Sequence, residues 1–151
     1  MDQRDTRMID VSDKKNTQRL ATAAACISMS RETLRLVREN ETPKGDVLAV
    51  AQAAGIMAAK KTPDLIPLCH PLLLTNVSIV FSFPAKGGSI VIMATVRGRG
   101  KTGFEMEALT AAAVAALTIY DMCKMFDQGM TITDMRLVKK TGGKSGTYTA
   151  K

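Results

Sequence analysis

The chain's single histidine, His70, stands beside Cys69 in Leu68-Cys69-His70-Pro71, between a predicted buried helix and a predicted strand. Imidazole and thiol groups can transfer protons or bind zinc. A closed zinc site needs about four ligands, but the sequence has no second histidine and no Cys-x-x-Cys pair. The sequence therefore argues against a zinc site, and the residues by themselves favour a structural loop histidine over a functional one.

Charged side chains stand at both ends of the longest predicted helix, whose middle is Ala, Leu, Val and Ile. Near its end, Asp121 and Lys124 are three positions apart and share one helix face. Their apolar neighbours favour a partly buried ion pair over an ordinary surface pair. A lysine crowded by further cations has a lowered pKa and can exchange protons near neutral pH.

The other end of this helix carries Glu105 and Glu107. Thr102-Gly103-Phe104-Glu105 has the spacing of a capping box, so closing that box is one interpretation of Glu105. At ~1.5 Å of rise per residue, the Cα atoms of Glu105 and Asp121 lie roughly 24 Å apart. One compact site in one subunit cannot easily hold both, which favours a pocket shared between subunits.

Two short strings, Gly100-Lys101-Thr102 and Gly143-Lys144-Ser145, resemble the end of a phosphate-binding loop. Neither qualifies, because Thr95 and Val138 occupy the position where that loop needs its first glycine. The basic run Arg97-Gly98-Arg99-Gly100-Lys101 leads into a predicted helix N-terminus, where free N–H groups favour an anion. A solvated basic turn explains the same run.

Composition predicts one globular domain, residues 8–151, after a flexible N-terminus of residues 1–7. Of 151 residues, 46% are hydrophobic and 23% charged, enough for one core without disulfides. The net charge of +7 favours an anionic partner, but 4% aromatic residues are too few to stack single-stranded nucleic acid. Three scattered cysteines and the lack of a leader or of a ~20-residue apolar span predict a cytoplasmic protein without membrane association.

Hydrophobic periodicity predicts the order βαββαβ, an α+β, ferredoxin-like antiparallel sheet with helices packed on one face. The segment Thr17 to Met29 fits either a helix or a strand, and we interpret it as a strand. Pro84 to Gly88 makes a hairpin turn. The other predicted elements are a helix capped by Ser30 and ending near Asn40, a helix from Val47 to Lys61, strands Leu72–Phe83 and Ser89–Arg97, a helix from Glu105 to Phe126 and a strand from Met130 to Val138. Apolar alternation in the hairpin, at Ile79 and Ile92 for example, predicts burial by a second subunit if that face is left uncovered.

Several longer strings resemble the family of molybdenum cofactor biosynthesis protein C, the cyclic pyranopterin monophosphate synthases. The resemblance covers residues 8–146 in order, with small departures at Phe104, Thr141 and Thr147. It is carried by Met8-Ile9-Asp10-Val11-Ser12, Lys44-Gly45-Asp46-Val47, Ala54 to Lys60, Leu65 to Pro71, Lys101 to Thr110, Ala115 to Lys124 and Gly142 to Gly146.

This resemblance implies a lyase that converts (8S)-3′,8-cyclo-7,8-dihydroguanosine triphosphate into cyclic pyranopterin monophosphate and releases pyrophosphate. It implies a homohexamer, a trimer of dimers, with active sites at subunit interfaces. The implied reaction needs no organic cofactor. Magnesium could accompany the phosphates without being required. The matching catalytic positions are Lys44, Asp121 and Lys124; the matching substrate-binding positions are Leu68, Cys69, His70, Met106, Glu107, Arg19, Glu105 and Lys140.

The alternative function is a ferredoxin-like module without catalytic activity that binds a nucleotide or structured RNA through its basic face. Such a module would tolerate the loss of Asp121, and its RNA binding would fall steeply with salt. The synthase would not tolerate that loss.

Overall fold

The structure of the protein is a computed structural model that describes residues 5–151; the first part of the predicted flexible N-terminus, residues 1–4, lies outside the described residues. It has α+β architecture, as predicted. Its elements are β1 (Thr17–Ser28), α1 (Arg31–Arg38), α2 (Val47–Lys60), α3 (Thr62–Leu65), β2 (Leu73–Ser82), β3 (Ser89–Gly100), α4 (Glu105–Cys123), β4 (Thr131–Thr141) and β5 (Tyr148–Thr149).

The five strands form one antiparallel sheet in the order β2-β3-β1-β4-β5. The first four strands have the ferredoxin-like order, so the predicted fold is confirmed, and β5 adds a short edge. The ambiguous segment is the central strand β1, in which Ala23 pairs with Ala94 on one side and with Leu137 on the other. Two strand neighbours bury it, and its small alternating side chains let helices pack closely on one face.

Helices α2 and α4 cover the face that carries Ile79, Ile90 and Ile92, and these side chains are buried in the core. This apolar face of the hairpin is therefore not the one left for a second subunit. The opposite face of the sheet is uncovered in the protomer, and Leu73 and Val80 are exposed there. Any burial of the sheet by another subunit has to use that opposite face.

The core helix α4 begins where it was predicted to begin, but its N-terminal cap and its C-terminal end differ from the prediction. It begins at Glu105 with Phe104 as N-cap residue and no side-chain cap, and it ends at Cys123 rather than Phe126. The predicted capping box is wrong, because the box would need Thr102 in the N-cap position. Phe104 is instead buried, with its ring over Gly98, where an added Cβ would lie 2.5 Å from the ring.

By length and composition alone, α4 is apolar enough to cross a membrane, contrary to the sequence expectation that no segment approaches such a span. More than half of its apolar window, 56%, is buried inside the protein. A helix that is apolar nearly all round fits the centre of a protein core equally well. The packing of α4 against α2 and the sheet accounts for its composition.

Close packing of α2 on α4 depends on Gly55. A Cβ atom added there would clash with the Ile79 side chain and lie 2.8 Å from the backbone oxygen of Ala111. We expect Gly55→Ala to lower the free energy of unfolding by about 1–3 kcal/mol, because α2 must move away from α4. Thermal midpoints at one fixed protein concentration test this. Gly129→Ala is the control, since its nearest contact would be an ordinary 3.7 Å, and equal midpoints for both variants would contradict the prediction.

Candidate active site

The N-terminal end of α4 borders two adjoining depressions in the surface. The first, which we call the His70 cleft, has a volume of about 470 Å³. It brings together the predicted substrate-binding residues Leu68, Cys69, His70, Glu105, Met106 and Glu107. The loop after α3 supplies the first three of these, and the first turn of α4 supplies the others.

The irregular segment before β1 lies along the His70 cleft, with Arg7, Ile9 and Val11 among the lining residues. His70 Nε2–H donates a hydrogen bond to the Ile9 carbonyl at 2.7 Å. A carbonyl can only accept, so the proton is on Nε2 and the other ring nitrogen, Nδ1, is left for a ligand. On the far side of the segment, Lys101 Nζ donates to the Ser12 carbonyl at 2.6 Å.

Glu107 is the buried acid of this cleft, with only 2% of its surface exposed. Burial raises the pKa of Glu107, and the neighbouring Glu105 carboxylate raises it further against a lowering backbone hydrogen bond. Burial and the charge of Glu107 likewise raise the pKa of the Cys69 thiol. Both shifts act against ionisation, so the Glu107 carboxyl and the Cys69 thiol each keep a proton to higher pH than the same group in water.

The Glu107 pKa predicts a pH-dependent stability. A carboxyl whose pKa is raised on folding stabilises fully below its unfolded pKa of about 4.3, and this contribution is lost as the pH rises through the folded pKa. We therefore expect Glu107→Gln to raise the thermal midpoint relative to the natural chain increasingly from about pH 4 towards neutrality. Calorimetry across that range measures the difference.

Glu105→Gln is the matched control with the opposite sign. Burial alone raises the pKa of Glu105, but the hydrogen bond and charge of Lys140, with Arg19 beyond, bring it below the ordinary value. Its stabilising contribution is present above the unfolded pKa and is lost as the pH falls. A midpoint difference for Glu107→Gln that is independent of pH, or that has the sign of Glu105→Gln, would contradict the prediction.

The second depression, which we call the cationic groove, has a volume of about 710 Å³ and adjoins the His70 cleft along Lys14, Thr102, Gly103 and Glu105. Among the residues that the structure describes, only two acidic ones line it, Asp13 and Glu105. Its cationic lining residues are Lys14, Lys15, Arg19, Lys101, Lys140 and Lys144. This excess of positive charge suits a multiply charged anion.

Arg19 organises the floor of the groove from β1. Its Nε donates to the Gly100 carbonyl at 3.0 Å, and Nη2 donates to the Lys101 carbonyl at 3.2 Å. Gly142 and Gly143 pass directly over its side chain with φ of 95° and 78°; a Cβ at Gly143 would lie 2.7 Å from the guanidinium carbon. The glycines after β4 are therefore needed for close approach and backbone conformation, and they bring Lys144 to the groove.

Glu105 and Lys140 form an ion pair between the two depressions, with Lys140 Nζ 2.8 Å from Glu105 Oε1. Their side chains are 27% and 33% exposed, so they remain within reach of a ligand. Lys140 reaches α4 because its partner in β1 is Ala21, whose side chain faces the helices. Glu105 is thus an ion-pair partner in the site and not a helix cap.

A third group, the lysine–aspartate cluster of Lys44, Asp121 and Lys124, lies near the other end of α4. Lys124 Nζ is 2.7 Å from Asp121 Oδ1, and Lys44 Nζ is 3.3 Å from Oδ2. All three side chains are substantially exposed. The predicted burial of the Asp121–Lys124 pair is wrong in the protomer, because the pair lies on the outer face of the last turn.

Hydrogen bonds and charge from Lys124, then from Lys44, lower the pKa of Asp121, while Asp121 raises the pKa of Lys124. The predicted lowering of a lysine pKa by surrounding cations is therefore wrong for Lys124 in the protomer. The hydrogen bond and charge of the Asp121 carboxylate are the largest influences on the Lys124 ammonium. The cluster is an ionised carboxylate that orients two cations.

The interpretation of the basic run from Arg97 to Lys101 also changes. Arg97 and Arg99 alternate with the buried Gly98 and Gly100 in β3, so they point to the uncovered sheet face and only Lys101 of the basic run enters the groove. Sequence reasoning also misses Lys14 and Lys15. Their signal is a pair of cations just before β1, but a surface charge run has the same pattern.

Within residues 5–151, no group of three His, Cys, Asp or Glu side chains could hold a metal ion.

The chain is similar to known proteins over most of its length. The profile of the MoaC family matches residues 8–143. A cyclic pyranopterin monophosphate synthase of Rhodospirillum rubrum is 59% identical over 143 residues, which cover 95% of this chain and 86% of the relative. Enzymes of the same name from Peptoclostridium acidaminophilum, 57% identical over 94% of this chain and 89% of the relative, and from Geobacillus kaustophilus, 55% identical over 96% and 91%, are similar to it at nearly full length.

Fold and site together define a ferredoxin-like α+β protein with a cationic groove beside a cleft that contains a thiol, an imidazole and a buried carboxyl group. Matches of this identity over this share of the chain are sufficient to assign its protein family. The chain belongs to the MoaC family.

Proposed function

We propose that the His70 cleft and the cationic groove form the substrate-binding part of the active site of a cyclic pyranopterin monophosphate synthase. The chain is an enzyme, a lyase of molybdenum cofactor biosynthesis. Its substrate is (8S)-3′,8-cyclo-7,8-dihydroguanosine 5′-triphosphate. The reaction rebuilds the purine and ribose into a pyranopterin, closes the cyclic phosphate and expels pyrophosphate.

The observation that carries this proposal is the continuity of the two depressions across Glu105. A triphosphate carries about four negative charges and needs clustered cations to bind it. The cationic groove provides six of them around one space. The purine-derived rings, which offer N–H donors and carbonyl acceptors, suit the cleft of Cys69, His70 and Glu107.

Proton transfer is assigned to the lysine–aspartate cluster. Opening and reclosing rings moves protons on and off nitrogen and oxygen, which positioned acid and base groups accelerate. Asp121 raises the pKa of Lys124, so this lysine meets the substrate as an ammonium group that holds its proton more firmly than a free lysine, and it can donate that proton once the substrate separates it from Asp121. Asp121 orients Lys124 and Lys44, and cations of the groove offset charge on the departing pyrophosphate.

The protein works as a homo-oligomer, a hexamer built from dimers, in which neighbouring subunits share the active site. Two observations support this assembly. The length of α4, roughly 24 Å between Glu105 and Asp121, separates the lysine–aspartate cluster from the groove of the same chain. Large apolar side chains are also exposed on both faces of the protomer, including Val50, Met57, Leu73, Val80 and Leu117.

Residues 8–151 act as one domain, and the enzyme is cytoplasmic.

The reaction needs no organic cofactor, and Cys69 and His70 bind substrate rather than zinc. His70 Nε2, one of the two candidate ligand atoms of the ring, is already bonded to the Ile9 carbonyl. We expect the purified enzyme to contain much less than one zinc per chain and to keep its turnover after treatment with a chelator. Metal analysis beside activity tests this; stoichiometric zinc that is lost together with activity would contradict it.

Incubation with the cyclic dihydroguanosine triphosphate tests the function directly, with pyranopterin and pyrophosphate quantified over time. Asp121→Asn should abolish turnover while the protein remains folded. The alternative is a nucleotide- or RNA-binding module without catalytic activity. It would give no product, would bind its ligand equally well in the Asp121→Asn variant, and would lose RNA affinity steeply with salt.

A further inference from the structure

Lys44 stands at the tip of a tight turn between α1 and α2. The Gly45 N–H donates to the Thr42 carbonyl at 3.1 Å, and the Thr42 hydroxyl donates to the Gly45 carbonyl at 2.5 Å. Thr42 therefore closes the turn in both directions, with Pro43 and Lys44 between its ends. Thr42 is buried, with 7% of its surface exposed, so its hydroxyl bond to the exposed Gly45 is partly shielded from water.

The backbone after Lys44 is equally constrained. Gly45 has φ of +93°, a conformation that L side chains rarely adopt, although a Cβ there would meet nothing within 4 Å. The next residue, Asp46, caps α2 by accepting a hydrogen bond from the Ala49 N–H at 3.0 Å. The turn thus leads directly into the capped first turn of a packed helix.

This backbone determines where the Lys44 ammonium can reach. Lys44 Nζ donates to the Asp121 carbonyl at 3.1 Å and to Asp121 Oδ2 at 3.3 Å. The Lys44 side chain is 42% exposed, so packing restrains it little. Small movements of the turn would separate it from Asp121.

We propose that Thr42 is a positioning residue: its hydroxyl, by closing the turn onto Gly45, holds Lys44 in register with Asp121 for the reaction. The inference rests on the proposed role of Lys44 in proton transfer. Thr42 itself touches neither Lys44 Nζ nor Asp121 through any hydrogen bond in the described residues.

Thr42→Val removes the hydroxyl at nearly constant volume, and Thr42→Ser keeps it. We expect Thr42→Val to lower kcat about tenfold with KM changed less than about twofold, because misplacement of an acid–base group by a fraction of an ångström already slows turnover. Thr42→Ser should restore kcat to near the natural value. Gly45→Ala should act like Thr42→Val, since only its backbone conformation is disfavoured.

Thr62→Val is the matched control. Thr62 is also buried, and its hydroxyl also donates to a backbone carbonyl, that of Ala58 at 3.1 Å, but it lies beyond the opposite end of α2. It should lower the thermal midpoint as Thr42→Val does and leave kcat unchanged. An equal loss of kcat in both threonine variants would overturn a positioning role in favour of general destabilisation.

A readout independent of turnover is the rate of trace acetylation of Lys44 by acetic anhydride in the intact oligomer, measured by mass spectrometry relative to Lys60. Release from Asp121 should make acetylation of Lys44 faster in Thr42→Val but not in Thr42→Ser or Thr62→Val. An unchanged rate in Thr42→Val overturns the inference. If Lys44→Arg instead retains normal turnover, the proton-transfer role of Lys44 fails, and acetylation still decides whether Thr42 holds the lysine in place.

Discussion

Arginine in place of Lys44 or Lys124 is expected to leave substrate affinity nearly intact and to remove most of the turnover. Arginine keeps the positive charge and can still pair with Asp121, but its pKa is too high for it to give up a proton. Acid–base groups typically contribute about 10²–10⁴-fold to a rate, so a loss in that range is expected for each variant. Calorimetric binding beside single-turnover product formation separates the two effects.

A lysine that only holds a phosphate would behave differently. Arginine would replace it with little loss of turnover, and any defect would appear as weaker binding. Lys60→Arg is the control, because Lys60 ends α2 and belongs to neither depression nor the lysine–aspartate cluster. Near-normal turnover in Lys44→Arg or Lys124→Arg would remove that lysine from the proton-transfer role.

Mixed oligomers of Glu105→Gln and Asp121→Asn chains should recover activity that neither variant has alone. Glu105 belongs to the groove and Asp121 to the cluster near the far end of the same helix. If each site combines the groove of one subunit with the cluster of its neighbour, random mixing leaves about one quarter of the sites with both natural residues. Activity per site after co-refolding or co-expression measures this fraction.

Native mass spectrometry has to confirm that the chains have mixed, and each variant refolded alone is the control. If verified mixed oligomers show no activity above that of the separate variants, each site takes both residues from one chain. The sharing proposed here would then be wrong. Thermal midpoints of both variants show whether each variant is still folded. This matters particularly for Glu105→Gln, which leaves Lys140 without its ion-pair partner.

Local patterns predicted most elements of the fold. Ser30 caps α1, as predicted, with its hydroxyl accepting a hydrogen bond from the Thr33 N–H. The Val47 helix and the hairpin lie within about a turn of their predicted ends, because caps, prolines and alternation act over a few residues. The capping box at Thr102 failed since burial of Phe104 against Gly98 set where α4 begins. A tertiary contact outweighed a local hydrogen bond there.

The resemblance to the family named the candidate site residues, yet these residues lie far apart in the chain and the sequence gives no distances between them. By itself, the sequence determined the α+β class and the roughly 24 Å that separate Glu105 from Asp121, and it favoured an anionic partner, because these depend on periodicity, helix rise and composition. Only the tertiary structure decided that Lys140 pairs with Glu105, that Lys14 and Lys15 join the groove, and that Asp121 raises the pKa of Lys124 where neighbouring cations were expected to lower it. Pairing of strands and the approach of charges through space determine those features, and neither can be read from spacing along one chain.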